Sequence, residues 1–120
     1  MKERDPKDRK TRTINGEKLP PVLVILGPTG VGKTGASLLL ARHLDTEIIG
    51  ADSMQIYRAM DIGTAKPDTI QRNAVKHHMI DIVDPSEEFS SGKYIEQVVP
   101  IVIGLHERNR VPLIVGGTGL

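Results

Sequence analysis

A glycine-rich run, Gly27-Pro28-Thr29-Gly30-Val31-Gly32-Lys33-Thr34, constrains the fold more than any other part of the chain. A glycine, four residues, a second glycine, a lysine and a hydroxyl residue form a pattern typical of a loop that wraps phosphate groups. Successive backbone N–H groups turn toward the phosphate oxygens, and the positive end of the following helix adds to their attraction. Lys33 supplies a full charge and Thr34 a hydroxyl for a metal ion. The run predicts a site for a diphosphate, either in a nucleotide such as ATP or in another ligand.

The residues on both sides of this loop fit that prediction. Segment 21–26 reads Pro-Val-Leu-Val-Ile-Leu, a short aliphatic run typical of a strand that is buried on both faces. The leucine-rich segment 38–44 follows the loop, as expected of a helix packed on a sheet. The later pattern predicts three more strands and two helices: strands over 47–51, 78–83 and 111–115, a short helix around 68–75 and a longer helix over 91–109.

The longer helix contains a proline. Pro100 removes one backbone donor and crowds the carbonyl of Glu96, so we expect a kink or a break at this point. The residues predicted on or near the buried face are Tyr94, Ile95, Val98, Val102, Leu105 and His106.

Strands that alternate with helices predict an α/β fold, in which helices cover both faces of a parallel sheet. Together with the phosphate loop, this indicates a P-loop NTPase-like three-layer fold. The last predicted strand leads into a second glycine-rich turn, 116–119, where such a sheet would still lack strands. We therefore expect 21–120 to be the N-terminal part of a catalytic domain that is incomplete at its C-terminus.

Composition narrows the function classes. The chain has 120 residues and no tryptophan. It also has no cysteine, which excludes disulfides and thiolate metal sites. Its three aromatic residues, Tyr57, Phe89 and Tyr94, are too few to predict base stacking on an aromatic sheet face. No apolar run approaches the roughly 20 residues of a membrane span, so we expect a soluble, cytoplasmic protein without a membrane partner.

The first 20 residues differ from the rest. They hold seven Lys or Arg residues against four Asp or Glu residues and few apolar side chains. This composition predicts a basic, disordered tail over 1–20, and the alternative is an auxiliary contact to RNA phosphates.

Two candidate site residues follow predicted strands. Asp52 comes after the strand 47–51, at the sheet edge where ligands gather in open α/β folds. A carboxylate there can hold Mg²⁺ or accept a proton, although a helix cap explains Asp52 equally well. Nearby, Gln55 has an amide suited to an adenine edge. Thr118 lies between glycines after the last strand, where turn chemistry alone is the competing explanation.

Other polar residues are expected to be structural. Asp81 and Asp84 could supply the metal-holding acid of an ATPase, but we favour a structural role for both. His77 and His78 are adjacent, so on a strand they point to opposite faces and do not form a simple metal site. The strand 111–115 ends in Gly116 and Gly117 instead of an acid, which weighs against hydrolysis of a nucleotide triphosphate.

Four segments in one order give the chain a clear resemblance: 27–34, 52–67, His77-His78-Met79-Ile80-Asp81 and Val115-Gly116-Gly117-Thr118-Gly119-Leu120. Over 21–120 the chain resembles the tRNA dimethylallyltransferases, and the tail lies outside the resemblance. Within it, the block 52–67 is far more specific than the phosphate loop. The resemblance implies transfer of a dimethylallyl group from dimethylallyl diphosphate to N6 of the adenosine just 3′ of the anticodon in tRNA.

The resemblance also assigns roles to residues. It implies that the loop 27–34 holds the donor's diphosphate with Mg²⁺, to which Thr34 and Asp52 contribute. Asp52 would take the proton from N6, and Thr118 would lie beside the reaction centre. The expected contacts to the extruded adenosine are Asp52, Ser53, Met54, Gln55 and Thr118.

The expected partner is the anticodon stem-loop of tRNA, bound by an enzyme that is a monomer at full length. The family's inserted helical domain, which grips the anticodon stem-loop, and its later basic residues near the diphosphate have no counterpart in these 120 residues, so the chain is expected to be a fragment. Three alternatives stay open: an adenylate dimethylallyltransferase, a P-loop small-molecule kinase and an inactive diphosphate-binding module.

Overall fold

The structure is a computed structural model, which describes residues 12–14, 17–19, 21–27, 33–59 and 66–117. Along the chain these residues form β1 (Arg12–Ile14), β2 (Glu17–Leu19), β3 (Leu23–Leu26), α1 (Lys33–Leu44), β4 (Ile48–Gly50), α2 (Thr69–Ala74), β5 (His77–His78), α3 (Ser91–Glu107) and β6 (Leu113–Gly116).

The main sheet has four parallel strands in the order β3-β6-β4-β5. Within it, β6 pairs with β3 through Leu23 and Leu113, and with β4 through Ile48 and Leu113. Since parallel strands end at the same edge, the segments after β3, β4 and β6 emerge side by side. The parallel α/β sheet predicted from the sequence is confirmed.

Hydrophobic residues form one core on each face of this sheet. On the α1 side the buried residues are Ala41, Ile48, Val75 and Leu113. On the α3 side they are Ile49, Ile56, Met79, Val83, Val98 and Leu105. Neighbours in β4, Ile48 and Ile49, enter opposite cores because strand side chains alternate.

Strand β3 departs from the expectation of burial on both faces. Val24 is 54% exposed and Leu26 is 63% exposed, whereas Leu23 and Ile25 pack against the core on the α1 side. The reason is that β3 lies at the sheet edge, and within the described residues no helix covers its other face.

The predicted strand 78–83 is wrong. Strand β5 ends at His78, and the next residues bend because Met79 has a φ of 67° and Asp81 a φ of 57°. Left-handed backbone of this kind interrupts an extended strand. Farther on, Val83 makes only an isolated parallel bridge with Tyr57.

The prediction of a disordered tail over 1–20 also differs from the structure, which pairs β1 and β2 as antiparallel strands. Between them the sequence has Asn15-Gly16, a strong hairpin signal that outweighs the polar composition locally. Residues 1–11 lie outside the described residues.

Both predicted helices are present. Asp68 caps α2, since its side chain accepts from the Gln71 N–H while the Gln71 side chain accepts from the Asp68 N–H. Of the kink or break predicted at Pro100, the break is absent, because α3 continues through Pro100. Glu96 and Pro100 are both exposed, so water can reach the carbonyl that Pro100 leaves without a donor.

The predicted face of α3 is largely confirmed. Val98 and Leu105 are buried, and the half-buried residues are Tyr94, Val102 and His106. Ile95 is the exception, because 58% of its surface is exposed. Among the described residues, no helix has the length and apolar character needed to cross a bilayer.

Leu105 provides a test of this packing. Its side chain is fully buried beneath α3, so Leu105→Ala should lower the free energy of unfolding by about 3 kcal/mol through lost contacts and the cavity left behind. Ile103, on the same helix, is 51% exposed, and Ile103→Ala should cost less than about 1 kcal/mol. Urea denaturation measures both, and equal losses would contradict the described orientation of α3.

Candidate active site

Lys33 lies where the ends of two strands meet. Its ammonium donates to the carbonyl of Gly27 after β3, at 3.0 Å, and to the carbonyl of Gly116 at the end of β6, at 2.7 Å. An ammonium has three donors, so these two bonds leave a third for a ligand oxygen. The charge of Lys33 is therefore held at the carboxyl edge of the sheet, beside the first turn of α1.

Asp52 follows β4 at the same edge. Its Oδ1 accepts from the N–H groups of Met54, at 2.8 Å, and Gln55, at 3.3 Å, and so organises the turn 52–55. The other oxygen, Oδ2, lies beside Gly117, 3.6 Å from the position that a Cβ atom would take there. No helix directly follows Asp52 in the described residues, so its Oδ1 stabilises a turn and not a helix cap, and Oδ2 faces the segment that follows β6.

A small pocket joins these groups. Lys33, Thr34, Asp52 and Gln55 all line it. The Thr34 hydroxyl and the Asp52 carboxylate are hard oxygen donors of the kind Mg²⁺ prefers. The positive charge of Lys33 suits a diphosphate, and the oxygens of Thr34 and Asp52 suit a magnesium ion bound with it.

A second, larger cavity lies on the other side of Asp52. It has a volume of about 400 Å³ and is bounded by the turn after β4 and the start of α3. All three aromatic residues of the chain, Tyr57, Phe89 and Tyr94, line it together with Asp52. The carboxylate therefore borders both a charged pocket and a largely apolar one.

Sequence reasoning missed this cavity. The aromatic residues do not form a sheet face, as stacking proteins often have, and they are separated along the chain by up to 37 positions. Only the packing of α3 against the end of β4 brings Phe89 and Tyr94 near Tyr57. The chain has only three aromatic residues, and all three line this cavity. Their small number was the one feature of the sequence that could have suggested a shared site.

Asp81 has a structural environment. Lys66 binds its Oδ1, and Arg72 binds its Oδ2 at 2.7 Å. Lys66 also donates to the carbonyl of Tyr57, at 2.6 Å, and Arg58 Nε donates to that of Asp81, at 3.1 Å. These contacts fasten the segment after Asp52 to the segment after β5, which supports the structural role expected for Asp81.

The remaining polar candidates also have local partners. His77 Nδ1 lies 2.7 Å from the carbonyl of Val75, whereas His78 Nε2 lies 2.6 Å from Glu47 Oε1. Asp84 accepts from the N–H and hydroxyl of Ser86 in an exposed turn. Within the described residues, no group of three or more His, Cys, Asp or Glu side chains is placed to hold a metal ion.

Asp81 should contribute to stability in a pH-dependent way. Burial raises the pKa of Asp81, but hydrogen bonds and charges from Lys66 and Arg72 outweigh it and leave the pKa below 3.8. Asp81→Asn should therefore lower the free energy of unfolding at pH 7 by about 2 kcal/mol. Because a lowered folded-state pKa stabilises the protein only above the unfolded value, the difference should shrink as the pH falls below 3.8.

Urea titrations at pH 7 and pH 3 measure this effect. Asp84→Asn is the matched control, because its carboxylate is exposed and is hydrogen-bonded to Ser86 in its own turn instead of to a buried cation. It should change stability much less at pH 7. A loss in Asp81→Asn that stays constant down to pH 3 would contradict the ion-pair account.

Comparisons with known proteins agree with this geometry. The family model described as IPP transferase matches residues 55–120, and the one described as isopentenyl transferase matches residues 20–83. The chain belongs to the IPP transferase family. The isopentenyl transferase match covers both the glycine-rich loop 27–34 and the block 52–67, whereas the IPP transferase match begins at Gln55.

Curated relatives of this IPP transferase chain carry the name tRNA dimethylallyltransferase. The protein from Syntrophobacter fumaroxidans is 58% identical over 100 residues, which are 83% of this chain and 29% of that protein. The protein from Thermodesulfovibrio yellowstonii is 58% identical over 99 residues, 82% of this chain and 31% of that protein. The chain therefore spans about a third of the length of these relatives.

Solved structures share the fold. A tRNA isopentenylpyrophosphate transferase from Bacillus halodurans matches with a TM-score of 0.75 at 51% identity, over 82% of this chain and 32% of its own. A eukaryotic dimethylallyltransferase acting on tRNA matches with a TM-score of 0.74 at 39% identity, over 81% and 24%. The P-loop NTPase-like α/β class predicted from the sequence is confirmed.

The structure brings many of the predicted site residues to one edge of the sheet. Those in the described region are Gly27, Lys33, Thr34, Asp52, Ser53, Met54 and Gln55. Ser53 and Met54 are exposed, and Gln55 is half-buried. The loop residues Pro28, Thr29, Gly30, Val31 and Gly32 lie outside the described residues, as do Thr118 and segment 60–65 of the family block. Their roles stay predictions.

Proposed function

We propose that the whole protein transfers a dimethylallyl group from dimethylallyl diphosphate to N6 of the adenosine just 3′ of the anticodon in tRNA. The observation that carries the proposal is the position of Asp52 between the Lys33 pocket and the aromatic cavity. Family membership and the names of the relatives support tRNA as the acceptor.

Lys33 and Thr34 act on the leaving group. The diphosphate departs with the electron pair of the breaking C–O bond, and the ammonium of Lys33 stabilises the charge it gains. The expected role of the loop residues 29–32 is to add backbone N–H groups to this stabilisation. Thr34 would hold Mg²⁺, and Asp52 would contribute through a water molecule so that its Oδ2 stays open to the proton; the ion neutralises diphosphate charge when bound.

Asp52 acts on the nucleophile. The exocyclic amine of adenine attacks the allylic carbon and forms the new N–C bond, while its surplus proton passes to the carboxylate. Because Oδ1 is occupied by the turn 52–55, Oδ2 is the oxygen that receives the proton. The products are the prenylated adenosine and diphosphate, so atoms and charge balance.

The aromatic cavity provides an apolar environment for the adenine base and the dimethylallyl group. A base that leaves its stack costs a few kcal/mol, which contacts with aromatic and apolar side chains offset. We assign the contacts with the acceptor adenosine to Ser53, Met54, Gln55 and Thr118. Exclusion of water also protects the allylic donor from hydrolysis.

A second candidate has its own support, since the isopentenyl transferase family model matches residues 20–83. The alternative that the sequence leaves open here is an adenylate dimethylallyltransferase, which would prenylate free adenylate. A competition assay separates the two: the whole protein receives dimethylallyl diphosphate with equal concentrations of AMP and an anticodon stem-loop RNA. We expect product on the RNA, and product on AMP alone would favour the second candidate.

A further inference from the structure

Tyr94 links the start of α3 to the strand that carries Asp52. It lies in the first turn of α3, and its hydroxyl donates to the carbonyl of Gly50, the last residue of β4, at 2.8 Å. On the β6 side, the N–H of Ala51 donates to the carbonyl of Val115, at 2.8 Å. The end of β4 is therefore held by β6 and by α3, just before Asp52.

This bond is placed to control the Asp52 carboxylate. The carboxylate is tied to its own turn through Met54 and Gln55, so it moves together with the backbone that carries it. That backbone begins at Gly50. A shift of the Gly50 carbonyl would therefore displace Asp52 Oδ2 relative to both the Lys33 pocket and the aromatic cavity.

Tyr94 also has the chemistry of a permanent donor. Burial raises the pKa of its hydroxyl to about 12, so the proton stays on the oxygen throughout the neutral range. Its ring lines the same cavity as Asp52. A phenylalanine would fill that space equally well but could not bond Gly50.

We propose that Tyr94 is a positioning residue for prenyl transfer, which acts through Gly50 to hold Asp52 at the distance that proton acceptance requires. The inference rests on the proposed function. It concerns where the base lies during the step, and adds no bond making or breaking of its own.

The test uses Tyr94→Phe in the whole protein. We expect kcat to fall about ten-fold, because loss of one hydrogen bond loosens the geometry of the base. KM for dimethylallyl diphosphate should change little, since Lys33 keeps its hydrogen bonds to Gly27 and Gly116. In an Asp52→Asn background the same substitution should have no further effect, because residues that act as one unit are not additive.

Val102→Ala is the control for a general loss of stability. Val102 lies on the same helix and packs against the same core, but it does not line the cavity. It should lower the free energy of unfolding and leave kcat unchanged. This separates positioning from ordinary support of the fold.

Two results would overturn the inference while the proposed function stands. One is an unchanged kcat in Tyr94→Phe, and the other is a ten-fold loss that persists in the Asp52→Asn background. A whole protein that transfers no prenyl group at all, before any substitution, would instead overturn the proposed function and with it the inference.

Discussion

Asp52→Asn in the whole protein should lower kcat for prenyl transfer by about a thousand-fold, because an amide cannot accept the proton that the attacking amine must lose. Asparagine keeps an oxygen at Oδ1, so the turn with Met54 and Gln55 should survive. We therefore expect KM for dimethylallyl diphosphate to change little. Single-turnover assays with an anticodon stem-loop measure the chemical step directly.

Asp45→Asn is the matched control for this substitution. Asp45 follows the C-terminal end of α1, is 87% exposed and pairs with Arg110 at 2.6 Å. Its φ is 51°, a conformation that asparagine tolerates. The control should retain full activity. Equal losses in the two variants, or an active Asp52→Asn enzyme, would remove Asp52 as the base.

Lys33→Met should lower kcat/KM for dimethylallyl diphosphate by about a thousand-fold, since the diphosphate loses a charged partner as it binds and as it leaves. Binding of inorganic diphosphate, followed by calorimetry, should weaken as well. This second measurement separates Lys33 from Asp52, whose replacement by asparagine should disturb diphosphate binding far less.

Lys76→Met serves as the control for charge. Lys76 is exposed and directly precedes β5, and its side chain does not line the Lys33 pocket. Its replacement should leave both kcat/KM and diphosphate binding unchanged. If both variants lost kcat/KM and diphosphate binding to a similar extent, the cause would be the change in net charge and not a specific contact of Lys33.

Local sequence determined much of the fold. The aliphatic run before the glycine-rich loop and the helical pattern after it predicted that Lys33 begins a helix that follows a strand, as β3 and α1 show. Helix α2 was predictable from Asp68 and Gln71, whose reciprocal hydrogen bonds need only neighbouring residues. Asp52 was predictable because a residue after a buried parallel strand emerges at the ligand edge.

The remaining features depend on contacts between distant segments. The strand predicted over 78–83 is interrupted where Asp81 meets Lys66 and Arg72, and alternation of apolar residues carries no sign of that ion-pair cluster. The aromatic cavity likewise requires α3 to approach the end of β4. Tyr94 and Gly50 are 44 positions apart, and no local pattern predicts their hydrogen bond.

The nucleoside that carries the dimethylallyl group can be identified directly. The whole protein is incubated with an unmodified tRNA and dimethylallyl diphosphate, the tRNA is digested, and its nucleosides are analysed by mass spectrometry with fragment sequencing. The account predicts one dimethylallyl group on N6 of the adenosine 3′ to the anticodon, with diphosphate released in equal amount. Unmodified tRNA, or a group attached at another nucleoside, would contradict it.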